Sequence, residues 1–347
     1  MTLTSFFILS RSDSISTQRI KILSAEFTLP ENFNIKSFIK NVIVYTFIIE
    51  LLGALVLFFQ FKHLGVNTPL WSGFFHSVSA FATAGFSLYS DSLSLMGFQN
   101  NAVICITIAI LCYLGSIGFI VPMDIYKCIK GEKKEITLTS KIIILITLLI
   151  CLVGTVIYTL DMNSSILEAF FQIASASTTA GFNSINLANL SNAVLFVMIF
   201  VMIIGASPSG TGGGIKTTTI SALLGVINSV KDGHPDNITF LKKKIPPNRV
   251  MTAVANATTY VLLLAVSTTL VCFFDTHSFL ELCFETTSAL GTVGLSLGIT
   301  SELSDWAKII LTVTMFLGRV GPLTLGIAFF QQKYNSKVIS PKEDIAV

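Results

Sequence analysis

Three short stretches of the chain carry the same residues at the same spacing. The first is Phe75, then Ser79-Ala80, then Thr83-Ala84-Gly85-Phe86-Ser87. The second is Phe171, then Ser175-Ala176, then Thr179-Ala180-Gly181-Phe182-Asn183. The third is Phe284, then Ser288-Ala289, then Thr292-Val293-Gly294-Leu295-Ser296. The phenylalanine precedes the glycine by ten residues each time. Glycine adopts backbone angles closed to other residues and so can turn carbonyls towards a common axis. The chemistry open to such a set is cation coordination, because a ring of carbonyl oxygens can replace an ion's hydration shell. Three hairpins that merely pack are the alternative, but packing does not require a shared Thr-x-Gly.

Elements of two lengths must position these residues. Crossing a hydrocarbon core takes about 20 apolar residues. Six segments qualify: 38–61, 101–125, 141–160, 193–230, 250–274 and 306–330. Between successive pairs lie shorter apolar pieces at 69–81, 166–177 and 279–290, too short to span and each ending at one copy of the motif. The expected pattern is long–short–long, three times. Extended backbone is tolerated at membrane depth only when buried in protein or lining a water-filled cavity.

Composition agrees. Apolar residues make up 52% of the 347 residues and charged residues 12%, where a soluble domain carries roughly 25% charged. Mean hydropathy is +0.77. Eighteen of the 22 Lys and Arg residues fall in four segments: the stretch before the first span, the 127–141 loop, the 231–249 loop and the C-terminal tail. The excess of positive charge on cytoplasmic loops predicts that these four lie inside, both termini with them. The opposite side carries Asp91, Asp161, Asp275, Glu302 and Asp305, and an acidic mouth concentrates cations.

The six cysteines and four histidines are dispersed and form no metal-ligand spacing or nucleophile–base pair. No enzyme, no metal beyond a transported ion, no cofactor and no nucleic-acid partner is expected. The fourth span is interrupted by Gly205-Ala206-Ser207-Pro208-Ser209-Gly210-Thr211-Gly212-Gly213-Gly214-Ile215-Lys216, through which no helix runs unbroken. A nucleotide-binding loop fails there, because glycine must directly precede the lysine and Ile215 stands in that place. Arg319 lies within the sixth span, where a charge is costly and is a functional candidate by default. Glu50 in the first span reads equally as a hydrogen-bonded partner between helices and as a functional charge.

The Thr-(Ala/Val)-Gly-(Phe/Leu) pattern is a relaxed form of the Thr-Val-Gly-Tyr-Gly filter of potassium channels. From about Ile35 to Gln332 the chain resembles the membrane subunits of the TrkH, KtrB and plant HKT transporters. That resemblance implies an all-α membrane protein of three helix–pore-loop–helix repeats, matching repeats two to four of a pseudo-fourfold cation pore. It implies an ion filter at Thr83, Ala84, Gly85, Thr179, Ala180, Gly181, Thr292, Val293 and Gly294. It implies an intramembrane gate loop containing Gly205, Gly210, Gly212, Gly213, Gly214 and Lys216, with Arg319 as a barrier charge below the filter. The expected divisions are 1–36, a cytoplasmic segment like the end of a first repeat; three pore repeats at 37–130, 131–235 and 236–334; and a tail at 335–347. The expected activity is K+ uptake in the cell membrane, with Na+ as the other candidate ion. Expected partners are a second copy of the chain, a cytoplasmic nucleotide-binding regulatory subunit of the TrkA/KtrA type, and membrane lipid. The first repeat of the family is expected to be missing, which leaves a truncated non-conducting remnant or an accessory subunit as the alternative.

Overall fold

The structure, a computed structural model, describes residues 35–89, 95–234 and 237–321. It consists of helices and one small hairpin. The first unit comprises α1 (Ile35–His63), α2 (Pro69–Phe81), α3 (Ala102–Ser116) and α4 (Ile120–Ile129). The second comprises α5 (Leu138–Met162), α6 (Ile166–Ser177), α7 (Asn192–Ile203) and α8 (Thr217–Lys231). A hairpin of β1 (Thr239–Phe240) and β2 (Lys243–Lys244) leads to the third: α9 (Pro247–Phe274), α10 (Phe279–Leu290) and α11 (Asp305–Val320). The N-terminal segment 1–34, Asp91 and the sequence after Gly321 lie outside the described residues.

Helix starts follow local chemistry. Free N–H groups at a helix start need acceptors, and Ser165, Ser191, Ser278 and Ser304 supply them at α6, α7, α10 and α11. Ser278 and Glu281 form a reciprocal capping box. Pro69 opens α2, where its missing N–H costs nothing. The short helices α2, α6 and α10 bury most of their length, including Phe81, Phe171 and Phe284. The long helices turn Phe47, Phe59, Leu148, Leu160 and Phe273 outward, as a lipid-facing surface requires. Among the described residues three helices are long and apolar enough to cross a membrane, four if α3 and α4 count as one.

α3 and α4 depart from expectation. The 101–125 run is expected as one span, but it bends by 90° between Ser116 and Ile120. Gly118 sits at the corner with φ +84°, and a Cβ there would strike the carbonyl of Pro208. The bend frees backbone groups, and the 205–214 loop satisfies them. Thr211 N donates to Gly115 O at 3.1 Å, Ser207 N to Ser116 O at 3.0 Å, and Phe119 N to Ser209 O at 3.4 Å. A kink needs an identifiable cause, and here the cause is a loop from the next unit.

Candidate ion filter and gate loop

All three short helices end in one backbone motif. Thr83 N donates to Ala80 O and Ala84 N to Ser79 O. Thr179 and Ala180 repeat the pair on Ala176 and Ser175, as do Thr292 and Val293 on Ala289 and Ser288. This is the Schellman closure, whose left-handed position normally holds glycine. Here it holds threonine, with φ of 50°, 55° and 52° at Thr83, Thr179 and Thr292. A left-handed angle costs an L-residue about 1–2 kcal/mol, and such strain clusters at functional sites. Two residues on, Gly85, Gly181 and Gly294 also have positive φ, at 70°, 83° and 90°. Each segment therefore alternates left-handed, ordinary, left-handed, which turns successive carbonyls about one strand. The C-terminal ends of α2, α6 and α10 lead into these segments, and that end of a helix carries partial negative charge.

The three segments meet edge to edge. A Cβ on Gly85 would strike the carbonyl of Ala180, and one on Gly181 the carbonyl of Val293. Gly294 is different: the nearest atom to its Cβ position is Gly181 Cα at 3.9 Å. Thr179, Ala180 and Phe182 are fully buried, whereas Ala84 and Gly294 are exposed. Among the described residues the middle segment is thus covered on both sides, and the outer two each present one open flank.

The 205–214 loop, the candidate gate, lies against the threonine side of this cluster. Thr83 Oγ1 donates to Thr211 Oγ1 at 3.1 Å. Thr179 Oγ1 accepts from Gly213 N at 2.9 Å. A Cβ on Gly213 would strike Thr292 Oγ1, and one on Gly212 would stand 2.7 Å from Thr178 O. Threonine at the left-handed position thus has a use that glycine lacks: its hydroxyl touches or holds the loop. Gly205 crosses against Gly213 and Gly214, and Gly210 N donates to Ser207 O at 3.1 Å. Lys216 Nζ donates to Gly212 O at 2.8 Å and to Gly213 O at 3.4 Å. Arg319 Nη1 donates to Thr211 O at 3.4 Å. Two cations thereby hold three successive carbonyls of the loop, and among the described residues Arg319 finds a backbone partner rather than an acid. Glu50 lies beside the first short helix, where its carbonyl accepts from Ser77 Oγ at 2.6 Å.

Three features escape a reading of the residues alone. Thr211, inside the loop, bridges Thr83 and Phe81 O. The threonine backbone strain is invisible in sequence. Behind each candidate filter segment stands a polar side chain, His76, Gln172 or Glu285, bonded to a serine beyond the glycine. A signal for the last existed, since each follows the shared phenylalanine and precedes the glycine by nine residues. Outside the spans, Asp275 at the end of α9 accepts from Ser304 N at 2.9 Å and has His277 Nδ1 3.4 Å away. Loss of hydration raises its pKa, but the Ser304 and His277 contacts outweigh that and hold it below the usual value.

Comparison with known proteins agrees with this architecture. Residues 8–337 match the family model described as TrkH, cation transport protein. The Ktr system potassium uptake protein B of Vibrio alginolyticus is 34% identical over 306 residues, covering 84% of this chain and 66% of that protein. The protein of the same name from Bacillus subtilis is 30% identical over 304 residues, covering 84% of this chain and 67% of its own length. The chain thus spans about two thirds of the length of these relatives. The crystal structure of the potassium transporter TrkH from Vibrio parahaemolyticus superposes with a TM-score of 0.72 at 20% identity, covering 88% of this chain and 67% of that one. At that identity the likeness is one of fold.

Proposed function

Because the chain belongs to the TrkH family of cation transport proteins, we propose that it is the ion-translocating membrane subunit of a potassium uptake system. Each helix–loop–helix unit contributes one Thr-x-Gly segment to a backbone-carbonyl filter, formed by Thr83–Gly85, Thr179–Gly181 and Thr292–Gly294. The observation that carries this reading is the identical strained backbone at all three segments, with threonine and glycine both left-handed. A structural turn would use glycine at both places. The acidic outer face gathers cations, and the ion sheds water against the carbonyls. It then meets the 205–214 loop, which Lys216 and Arg319 hold shut through Gly212 O, Gly213 O and Thr211 O. Conduction requires that loop to leave the filter threonines.

The relatives' names place them in Ktr systems. This supports a system with further components, and the proposed complex is a homodimer at the cell membrane that binds a nucleotide-binding regulatory subunit through its basic cytoplasmic loops. K+ is the proposed ion, with Na+ as competitor. A second reading rests on Gly294, whose open flank leaves one side of the filter unfilled among the described residues. On that reading the chain is a non-conducting or accessory subunit until a fourth segment closes the ring.

The test is Rb+ uptake into cells lacking their own K+ uptake, with membrane abundance measured in parallel. Uptake that Gly85→Val or Gly181→Val abolishes at unchanged abundance is the expected result. Uptake that survives either substitution removes the filter assignment, and no uptake by the unaltered chain favours the accessory role.

A further inference from the structure

The residue directly after the shared phenylalanine does the same job in all three units, with three different chemistries. In the first, His76 Nδ1 bonds Ser72 O at 2.7 Å and Nε2 bonds Ser87 Oγ at 3.0 Å. With Nδ1 donating to a carbonyl, Nε2 is left as the acceptor of the serine proton. In the second, Gln172 Nε2 donates to Ser184 Oγ at 3.0 Å, and Gln172 Oε1 is buried without a hydrogen-bond partner among the described residues. In the third, Glu285 accepts three hydrogen bonds: from Ser296 Oγ at 2.7 Å, Leu297 N at 2.9 Å and Thr300 Oγ1 at 2.8 Å. Ser296 Oγ also accepts from Gly298 N at 2.9 Å.

These side chains face the strand that leaves each filter glycine, away from the ion path. They fix where the strand goes next and therefore how far its carbonyls can move. The restraint is unequal. The second strand is held by one bond from a neutral amide, but Thr179 and Ala180 of its filter segment are fully buried between neighbours. The third strand has an exposed glycine whose Cβ position meets only Gly181 Cα, at 3.9 Å, among the described residues, and it carries the most heavily bonded clamp. Hydrogen bonds to a carboxylate are about twice as strong as neutral ones, so the clamp is strongest where packing is weakest.

We propose that Glu285 is a positioning residue for ion selection: through Ser296, Leu297 N and Thr300 it holds the third filter strand at the spacing that favours K+ over Na+. It touches no ion. Freed of the clamp, the Val293 and Gly294 carbonyls can close on a smaller cation, and discrimination falls. This inference rests on the filter reading.

The experiment uses the full chain purified in detergent, with its thermal midpoint followed during K+ and Na+ titrations. A bound ion stabilises the folded state by RT ln(1 + [ion]/Kd), so the rise of the midpoint with concentration gives a Kd for each ion, and the ratio of the two reads selectivity independently of yield. Glu285→Gln keeps the size of the side chain but cannot accept all three bonds. It is expected to reduce the K+/Na+ preference about tenfold, the change that about 1.4 kcal/mol of differential binding produces. Thr300→Val removes one donor and is expected to shift the ratio the same way by less. It also decides the matter if Glu285→Gln does not fold. A ratio within twofold of the unaltered chain, in Glu285→Gln or in Thr300→Val standing in for it, overturns the proposal while K+ still stabilises the unaltered protein. If K+ fails to stabilise even the unaltered chain, the filter reading falls and this inference with it.

Discussion

Gly181 is where an added methyl group does most damage. Its φ of +83° costs an L-residue about 1–2 kcal/mol. The new Cβ would also strike the Val293 carbonyl oxygen, with Val293 C at 3.2 Å and Gly294 Cα at 3.3 Å behind it. All three are backbone atoms of the neighbouring candidate filter strand, so no flexible side chain can swing away. Overpacking at a tight site costs about 1–3 kcal/mol. The two costs together amount to about 2–5 kcal/mol against the ion-filled arrangement. At tenfold per 1.4 kcal/mol, the lower bound is a loss of about thirtyfold in ion affinity or uptake rate. The assay is Rb+ uptake by Gly181→Ala, normalised to membrane abundance. Gly65→Ala is the control, because it has a similar φ of +72° and nothing within 4 Å. Its effect should be confined to a small loss of stability. Uptake by Gly181→Ala within twofold of the unaltered chain, at normal abundance, would refute the claim that this glycine is pressed against an ion-coordinating carbonyl.

Gly294→Ala extends the series: with only Gly181 Cα at 3.9 Å, it should cost the φ strain alone, and a loss in Rb+ uptake matching that of Gly181→Ala would mean that a further segment fills this flank. Thr179→Val leaves the part-buried Gly213 N without its acceptor, against a cost of about 1–3 kcal/mol for a fully buried group, and should loosen the 205–214 loop, read as faster Rb+ uptake at a lower thermal midpoint. Arg319→Gln removes the charge on Thr211 O and should change the uptake rate or the Na+/K+ preference, whereas no change in either would make Arg319 structural. Asp275 has a lowered pKa, so its contribution is present above the unfolded value of about 3.9 and is lost as pH falls through the folded value. The thermal midpoint should therefore hold from pH 7 to pH 5 as far as this group is concerned and fall below about pH 4, and Asp275→Ala should shrink that acid-side fall.

Much of this protein is legible in its residues because membrane solvent imposes simple rules. Low charge, long apolar runs and three Thr-x-Gly copies suffice to place three short helices, and these end at Phe81, Ser177 and Leu290 as the pattern predicts. The interruption at 205–214 follows from proline and glycine alone. Tertiary structure decides everything that depends on a partner distant in sequence. The run through Gly118 is apolar enough to continue as one helix, and it turns by 90° because the 205–214 loop bonds Gly115 and Ser116. Thr83, Thr179 and Thr292 take a backbone angle that their own side chains disfavour, and each hydroxyl then meets the loop. Glu285 reads as an unremarkable acid on an amphipathic helix until folding brings Ser296, Leu297 and Thr300 round to it. Local preference and hydrophobic period are written along the chain, but a strained angle or a satisfied buried carboxylate is set by atoms that only the folded state brings within reach.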